Sequence, residues 1–170
     1  LEVVMDSLSE ADEEALERSM TDLHPLDVLA ATNVLLEVKQ VLDDLGVVFY
    51  LEEGTCLGAV RERGFIPWDD DVDLASVFGL HGFTEDSVPL IVAALRERGF
   101  VTKVFQKPHG VYVPALKSSI RVDWHARKII KGSTFHYPGV RIPARLFEHL
   151  KEIDFIGEKF LIPDPPEEFL

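Results

Sequence analysis

The chain has little cysteine, little positive charge and no long apolar run. Cys56 is its single cysteine, so no intrachain disulfide forms and a reducing compartment is expected. No stretch of 18 apolar residues occurs, so no transmembrane helix is expected. Lys and Arg number 17 against 30 Asp and Glu, a net charge of −13. That balance argues against a nucleic-acid partner or a broad anionic-membrane surface. No basic segment leads into an apolar stretch at the start, so the expected location is cytoplasmic. Internal repeats and low-complexity linkers are also missing. The composition sets no oligomeric state.

What is present suffices for one folded domain. A chain of 170 residues buries roughly 70% of its unfolded surface. The acid is unevenly spread. Residues 1–22 hold eight acids and one base and carry −7 of the −13, which leaves −6 for the body. They are read as an acidic helical segment preceding the main domain, residues 23–170.

Ser9-Glu10-Ala11-Asp12 has the pattern of a capping box, opening a helix to about Met20. A second helix is expected from Leu26 to Leu45, with Pro25 at its start, Gly46 at its end and a buried stripe of Leu29, Val34, Leu36, Val38, Val41 and Leu42. Val47–Leu51 reads as a buried strand, residues 55–63 as a short helix, Asp71–Ala75 as a strand and 86–98 as a helix. Strands are expected over 100–106, 111–116 and 119–130, with a hairpin over 153–162 turning at Gly157. This order predicts an α+β or α/β fold, a mixed sheet flanked by helices.

The densest chemical signal is Pro67-Trp68-Asp69-Asp70-Asp71-Val72-Asp73, four carboxylates within five residues. Like charges this close repel unless they protonate, spread into water or share a cation. On a strand, Asp71 and Asp73 share one face while Val72 and Leu74 enter the core. Asp69 joins that face only if the strand reaches it, and Asp70 points away into solvent. Two aspartates so spaced can hold Mg²⁺, with Mn²⁺ as an alternative, for displacement at phosphorus. Asp123 is the candidate third acid, because Ile120, Val122 and Trp124 can face the core and leave it on the open side. An acid there could also take a proton from an attacking hydroxyl. An EF-hand loop fails at Leu74, where Gly is needed, and at Leu80, where the bidentate Glu belongs. A glycosyltransferase of the Asp-x-Asp type gives no reason for the Gly-Thr turn upstream.

That upstream turn completes a longer pattern. Gly54-Thr55-Cys56-Leu57-Gly58-Ala59-Val60-Arg61, then Gly64-Phe65-Ile66-Pro67-Trp68-Asp69-Asp70-Asp71-Val72-Asp73, resembles the LicD/fukutin family of phosphotransferases within the nucleotidyltransferase superfamily. The resemblance implies a nucleotidyltransferase-like fold and metal-dependent transfer of a substituted phosphate. The implied donor is a CDP-activated alcohol such as CDP-choline or a CDP-polyol. The implied acceptor is a hydroxyl of a glycan or small molecule. Asp71 and Asp73 match the metal-binding pair, Asp123 the third acid, Gly54 and Thr55 the phosphate-facing turn, and Asp69 a further acid of the motif. Two departures stand out. Relatives often continue into a Tyr-Gly and Trp-bearing tail, so the domain is expected to be incomplete at its C-terminus. Arg61 is followed by Glu62-Arg63-Gly64, which makes the stretch less positive than in many relatives.

Of the two arginines there, Arg61 is the one expected to meet donor phosphate. Thr55 can meet phosphate or cap its helix. Cys56 is expected to be a small buried residue and His125 a hydrogen-bonded structural one. Trp68 is expected to pack its loop and Glu52 to edge the pocket. His109, His136 and His149 show no metal-ligand spacing. The leading expectation is a phosphotransferase. The alternatives are transfer of a nucleotide from an NTP to a small molecule, and a non-catalytic module of a larger protein.

Overall fold

The computed structural model describes residues 8–136 and 138–170. The acidic segment begins in residues 1–7, outside that range. Helix α1, Glu10–Thr21, starts as its capping box dictates: the Ser9 hydroxyl accepts from the Asp12 amide. Lys103 pairs with Glu13 at 2.7 Å and ties this helix to the body.

Helix α2, Val28–Asp44, begins at an Asp27 cap whose side chain accepts from the Ala30 amide, not at Pro25. Its buried face is Ala31, Val34, Leu35, Val38, Val41 and Leu42. Leu36 is half-buried, and Leu29 is 72% exposed. Leu29 lies roughly 200° around the helix from Ala31, so it cannot share that stripe.

Strand β1 is only Tyr50–Leu51. In the backbone before it, the Val48 carbonyl accepts from the Ser76 hydroxyl at 2.8 Å. Helix α3, Glu53–Arg61, leads through a loop to β2, Val72–Val77. Helix α4, Ser87–Glu97, precedes β3 (Val101–Thr102), β4 (Phe105–Lys107), β5 (Gly110–Lys117) and β6 (Ile120–Arg127). The sheet order is β1-β2-β6-β5-β3, with β4 also on β5. Strands β2 and β6 are parallel and the other pairs antiparallel, a mixed sheet.

Alternation along the strands divides the sheet into two faces. Val72, Leu74, Val113, Val122 and Trp124 join α2 and α4 in the main core. The other face carries Asp73, Asp123, His125, Arg127 and Tyr112. Part of it is covered by a hairpin absent from the sequence expectations, β7 (Ser133–His136) and β8 (Val140–Pro143), and by the short helix α5 (Arg145–Glu148). Tyr50, Ala75, Val77, Ile142, Leu146 and Phe147 form a second apolar cluster there. The expected late hairpin is β9 (Lys151–Phe155) and β10 (Glu158–Ile162). Its turn residues Ile156 and Gly157 both have positive φ. Helix α6, Pro166–Phe169, follows. No described helix is long and apolar enough to cross a membrane.

Candidate active site

The parallel register places Asp73 opposite Asp123, with Asp71 one residue before β2. Carboxylate oxygens of Asp71, Asp73 and Asp123 lie within 4.8 Å of one another. Burial raises the pKa of Asp71 most, and the adjacent Asp123 adds to it, taking it to about 7. Burial also raises Asp73 well above the usual carboxylate range, with help from Asp71, Asp123, Glu52 and Glu53.

Arg121 holds this cluster together, and the sequence reading did not find it. Its Nη2 donates to Asp71 Oδ2 at 2.9 Å and to Asp123 Oδ2 at 3.1 Å, and its Nε to Asp123 Oδ1 at 3.0 Å. Its Nη1 donates to the Ser19 carbonyl on α1. Tyr112 Oη donates to Asp123 Oδ1 at 2.7 Å. Alternation signals this set in part: Arg121, two residues before Asp123, must share its face.

Asp69, Asp70 and Asp71 precede the strand in a loop. Asp69 turns its carboxylate to Gly54, where an added Cβ would lie 2.6 Å from Asp69 Oδ2. That oxygen is buried without a hydrogen-bond partner. Asp70 is half-buried, not fully solvated. The Thr55 hydroxyl accepts from the Asp73 amide at 2.9 Å, locking α3 onto β2. Arg61, exposed on the last turn of α3, shares a cavity of about 500 Å³ with Gly54, Leu57 and His136. It forms no ion pair with the acid cluster among the described residues.

Glu52 is fully buried, not a rim acid. Its Oε1 lies 2.7 Å from Arg127 Nη2 and 2.8 Å from Arg127 Nε. His136 Nδ1 is 3.2 Å away, an ion-pair distance without hydrogen-bond alignment. Burial alone would raise the Glu52 pKa, but Arg127 and His136 outweigh it and bring it to about 2. Glu52, Glu53 and His136 thus form a second compact group that no sequence spacing announces. His125 shares the Asp123 face and stacks on Tyr112 at 4.9 Å. Burial depresses its pKa. Cys56 is buried, and burial first, then Glu52 and Glu53, push its thiol up to about 12, which suits an inert residue. Trp68 is 78% exposed and does not pack its loop, because the turn points its ring into solvent.

The model of the LicD/FKTN/FKRP nucleotidyltransferase domain matches residues 46–164. This chain belongs to the LicD/FKTN/FKRP family. Among the relatives, Ribitol-5-phosphate transferase FKTN of Mus musculus is 41% identical over 73 residues, 43% of this chain and 14% of that protein. Lipopolysaccharide cholinephosphotransferase LicD of Haemophilus influenzae is 39% identical over 46 residues, 27% of this chain and 17% of that protein. The stretches matched cover less than a fifth of the length of each of these two relatives. The crystal structure of ANT(2″)-Ia in complex with adenylyl-2″-tobramycin has a TM-score of 0.52 at 12% identity, over 78% of this chain and 68% of that one. That likeness concerns the fold alone and agrees with a nucleotidyltransferase-like sheet.

Proposed function

We propose that this domain transfers a substituted phosphate, phosphocholine or a polyol phosphate, from a CDP-activated alcohol to a hydroxyl of a glycan. The reaction would use a divalent ion, Mg²⁺ or Mn²⁺. The supporting observation is the convergence of Asp71, Asp73 and Asp123 beside the start of α3, in a family that includes a ribitol-5-phosphate transferase and a cholinephosphotransferase.

The donor set suits such an ion. It is all carboxylate oxygen, the preference of a hard cation. With all three carboxylates ionised, the cluster and the Arg121 guanidinium carry a net −2, which one divalent ion would balance. When bound, the ion would neutralise charge on the donor phosphates. Arg121 and Tyr112 would hold Asp123 in place, and Thr55 would hold the Asp73 backbone. Gly54 and Arg61 would face the anionic donor. With Tyr112 and Arg121 already donating to both its oxygens, Asp123 is better suited to holding an ion than to accepting a proton.

Calorimetric titration of Mn²⁺ into Asp71→Asn and Asp73→Asn protein tests the ion site. Binding should weaken by more than about tenfold in each. Affinity equal to wild type would refute the site. Incubation with CDP-choline or CDP-ribitol and an acceptor should release CMP. Pyrophosphate released from CTP, without CMP from either CDP-alcohol, would assign nucleotide transfer instead. Binding without turnover would mark a non-catalytic module.

A further inference from the structure

Glu53 stands between two cavities. One is the cavity of about 500 Å³ shared by Gly54 and Arg61. The other, about 440 Å³, lies on the open face of β5 and β6 against Tyr112, His125, His109 and Phe135. Glu53 lines both. Its backbone is held at φ 48, a left-handed conformation costly for a residue with a Cβ. Strain of this kind collects at functional sites. Its side chain is 56% exposed, and His136 Nδ1 lies 3.6 Å from its Oε1. Unlike Asp123, it has room to accept a proton.

We propose that the 440 Å³ cavity binds the acceptor as a sugar or other polyhydroxylated ring, and that the Glu53 carboxylate accepts the proton of its attacking hydroxyl. The inference rests on the transfer reaction proposed above. The cavity volume lies within the range of small-ligand sites. Its wall reaches the acid cluster through one side chain, because the Tyr112 hydroxyl donates to Asp123 Oδ1 at 2.7 Å.

The lining is mostly apolar, from Pro108, Val111, Ala126 and Phe135, and suits the C–H face of a sugar ring. Glu53, Lys107 and His125 line the same cavity and bring the polar groups that ring hydroxyls need. The ring faces are largely taken. Tyr112 is stacked by His125 at 4.9 Å and by Phe105 at 5.7 Å, and Phe135 lies on His109 at 4.1 Å. A planar nucleobase gains most from a free ring face on which to stack. A sugar ring instead lays its C–H groups on apolar side chains and turns its hydroxyls to the few polar groups beside them.

In the step, the acceptor oxygen bonds to the phosphorus of the transferred phosphate. The bond from that phosphorus to the bridging oxygen breaks, and its electron pair leaves with CMP. The hydroxyl proton passes to Glu53 and then to water.

Saturation-transfer NMR on the 170-residue protein, without metal or donor, tests the cavity. Methyl glucoside, methyl galactoside and ribitol serve as probes. At least one should receive saturation and shift the amide signals of Tyr112, His125 and Phe135, and Phe135→Ala should reduce the effect while Mn²⁺ affinity stays unchanged. Binding by none of the probes, or CMP shifting those same signals, would overturn the assignment. In turnover, Glu53→Gln should lower kcat by about 100-fold or more with donor KM within about twofold. Glu53→Gly, which suits the left-handed backbone, should lose kcat equally with Tm no lower than wild type. Undiminished kcat in Glu53→Gln refutes the proton-accepting role. Wild-type protein that binds a probe yet transfers no phosphate would sink the reaction, and the role of Glu53 with it, while leaving the subsite standing.

Discussion

Asp73 and Asp123 sit directly opposite one another on the parallel pair β2 and β6, and Arg121 reaches across the same face to Asp71 and Asp123. The guanidinium is the counter-charge that lets three acids share a partly buried site. It also links that site to α1 through the Ser19 carbonyl.

Arg121→Ala should therefore destabilise the protein by about 3 kcal/mol, the usual cost of leaving buried charge unpaired. Urea denaturation measures this. Arg121→Lys should recover only part of the loss, since an ammonium cannot reproduce the fork to two carboxylates. A loss below about 1 kcal/mol in the alanine variant would show that the acids spread into water unaided.

The acid cluster and Glu52 should give metal-free protein opposite responses in two pH windows. Asp71 is raised to about 7 when folded, so the folded state binds its proton more tightly. Stability from this group grows as pH falls from above 7 toward the ordinary carboxylate range near 4. Glu52 is depressed to about 2, so its contribution is full above about 4.5 and is lost as pH falls toward 2. Thermal denaturation across pH should show a gain on moderate acidification that Asp71→Asn diminishes. A steep loss below about 4.5 should flatten in Glu52→Gln. An Asp71→Asn profile parallel to wild type would contradict the first part.

Gly54 is explained by close approach. A Cβ there would meet Asp69 Oδ2 at 2.6 Å and Asp69 Cγ at 3.1 Å. Gly54→Ala should cost about 1 kcal/mol, a typical price for local overpacking. The cost should shrink in an Asp69→Ala background. A double-mutant cycle with no coupling between the two positions would reject this explanation.

Much of the site was legible because side-chain direction on a strand follows a period of two. That rule alone put Asp71 with Asp73, and Asp123 opposite the core-facing Val122 and Trp124. The same rule pairs Arg121 with Asp123, but it does not say that an arginine will turn back onto its neighbour. Leu29 is apolar yet lies outside the buried stripe of α2, because its angle on the helix turns it to solvent. Trp68 is a similar case: its size suggests packing, while the turn leaves it in solvent. The hairpin β7–β8 gives little signal because its strands are four residues each and β7 buries the polar Thr134 and His136 instead of apolar residues.

The sequence by itself determined the fold class, the family motif from Gly54 to Asp73 and the faces on which the acids lie. These follow from local periodicity and from close spacing along the chain. Only the tertiary structure decided the partners: Arg121 with Asp71, Tyr112 with Asp123, and Glu52 with Arg127 and His136. Most of these pairs join residues distant in sequence, brought together by strand pairing and by the β7–β8 hairpin folding over the sheet. The charge state of a carboxylate depends on such neighbours and on burial more than on residue type. That is why Glu52 and Asp71, both acids in one stretch of chain, end with pKa values near 2 and near 7.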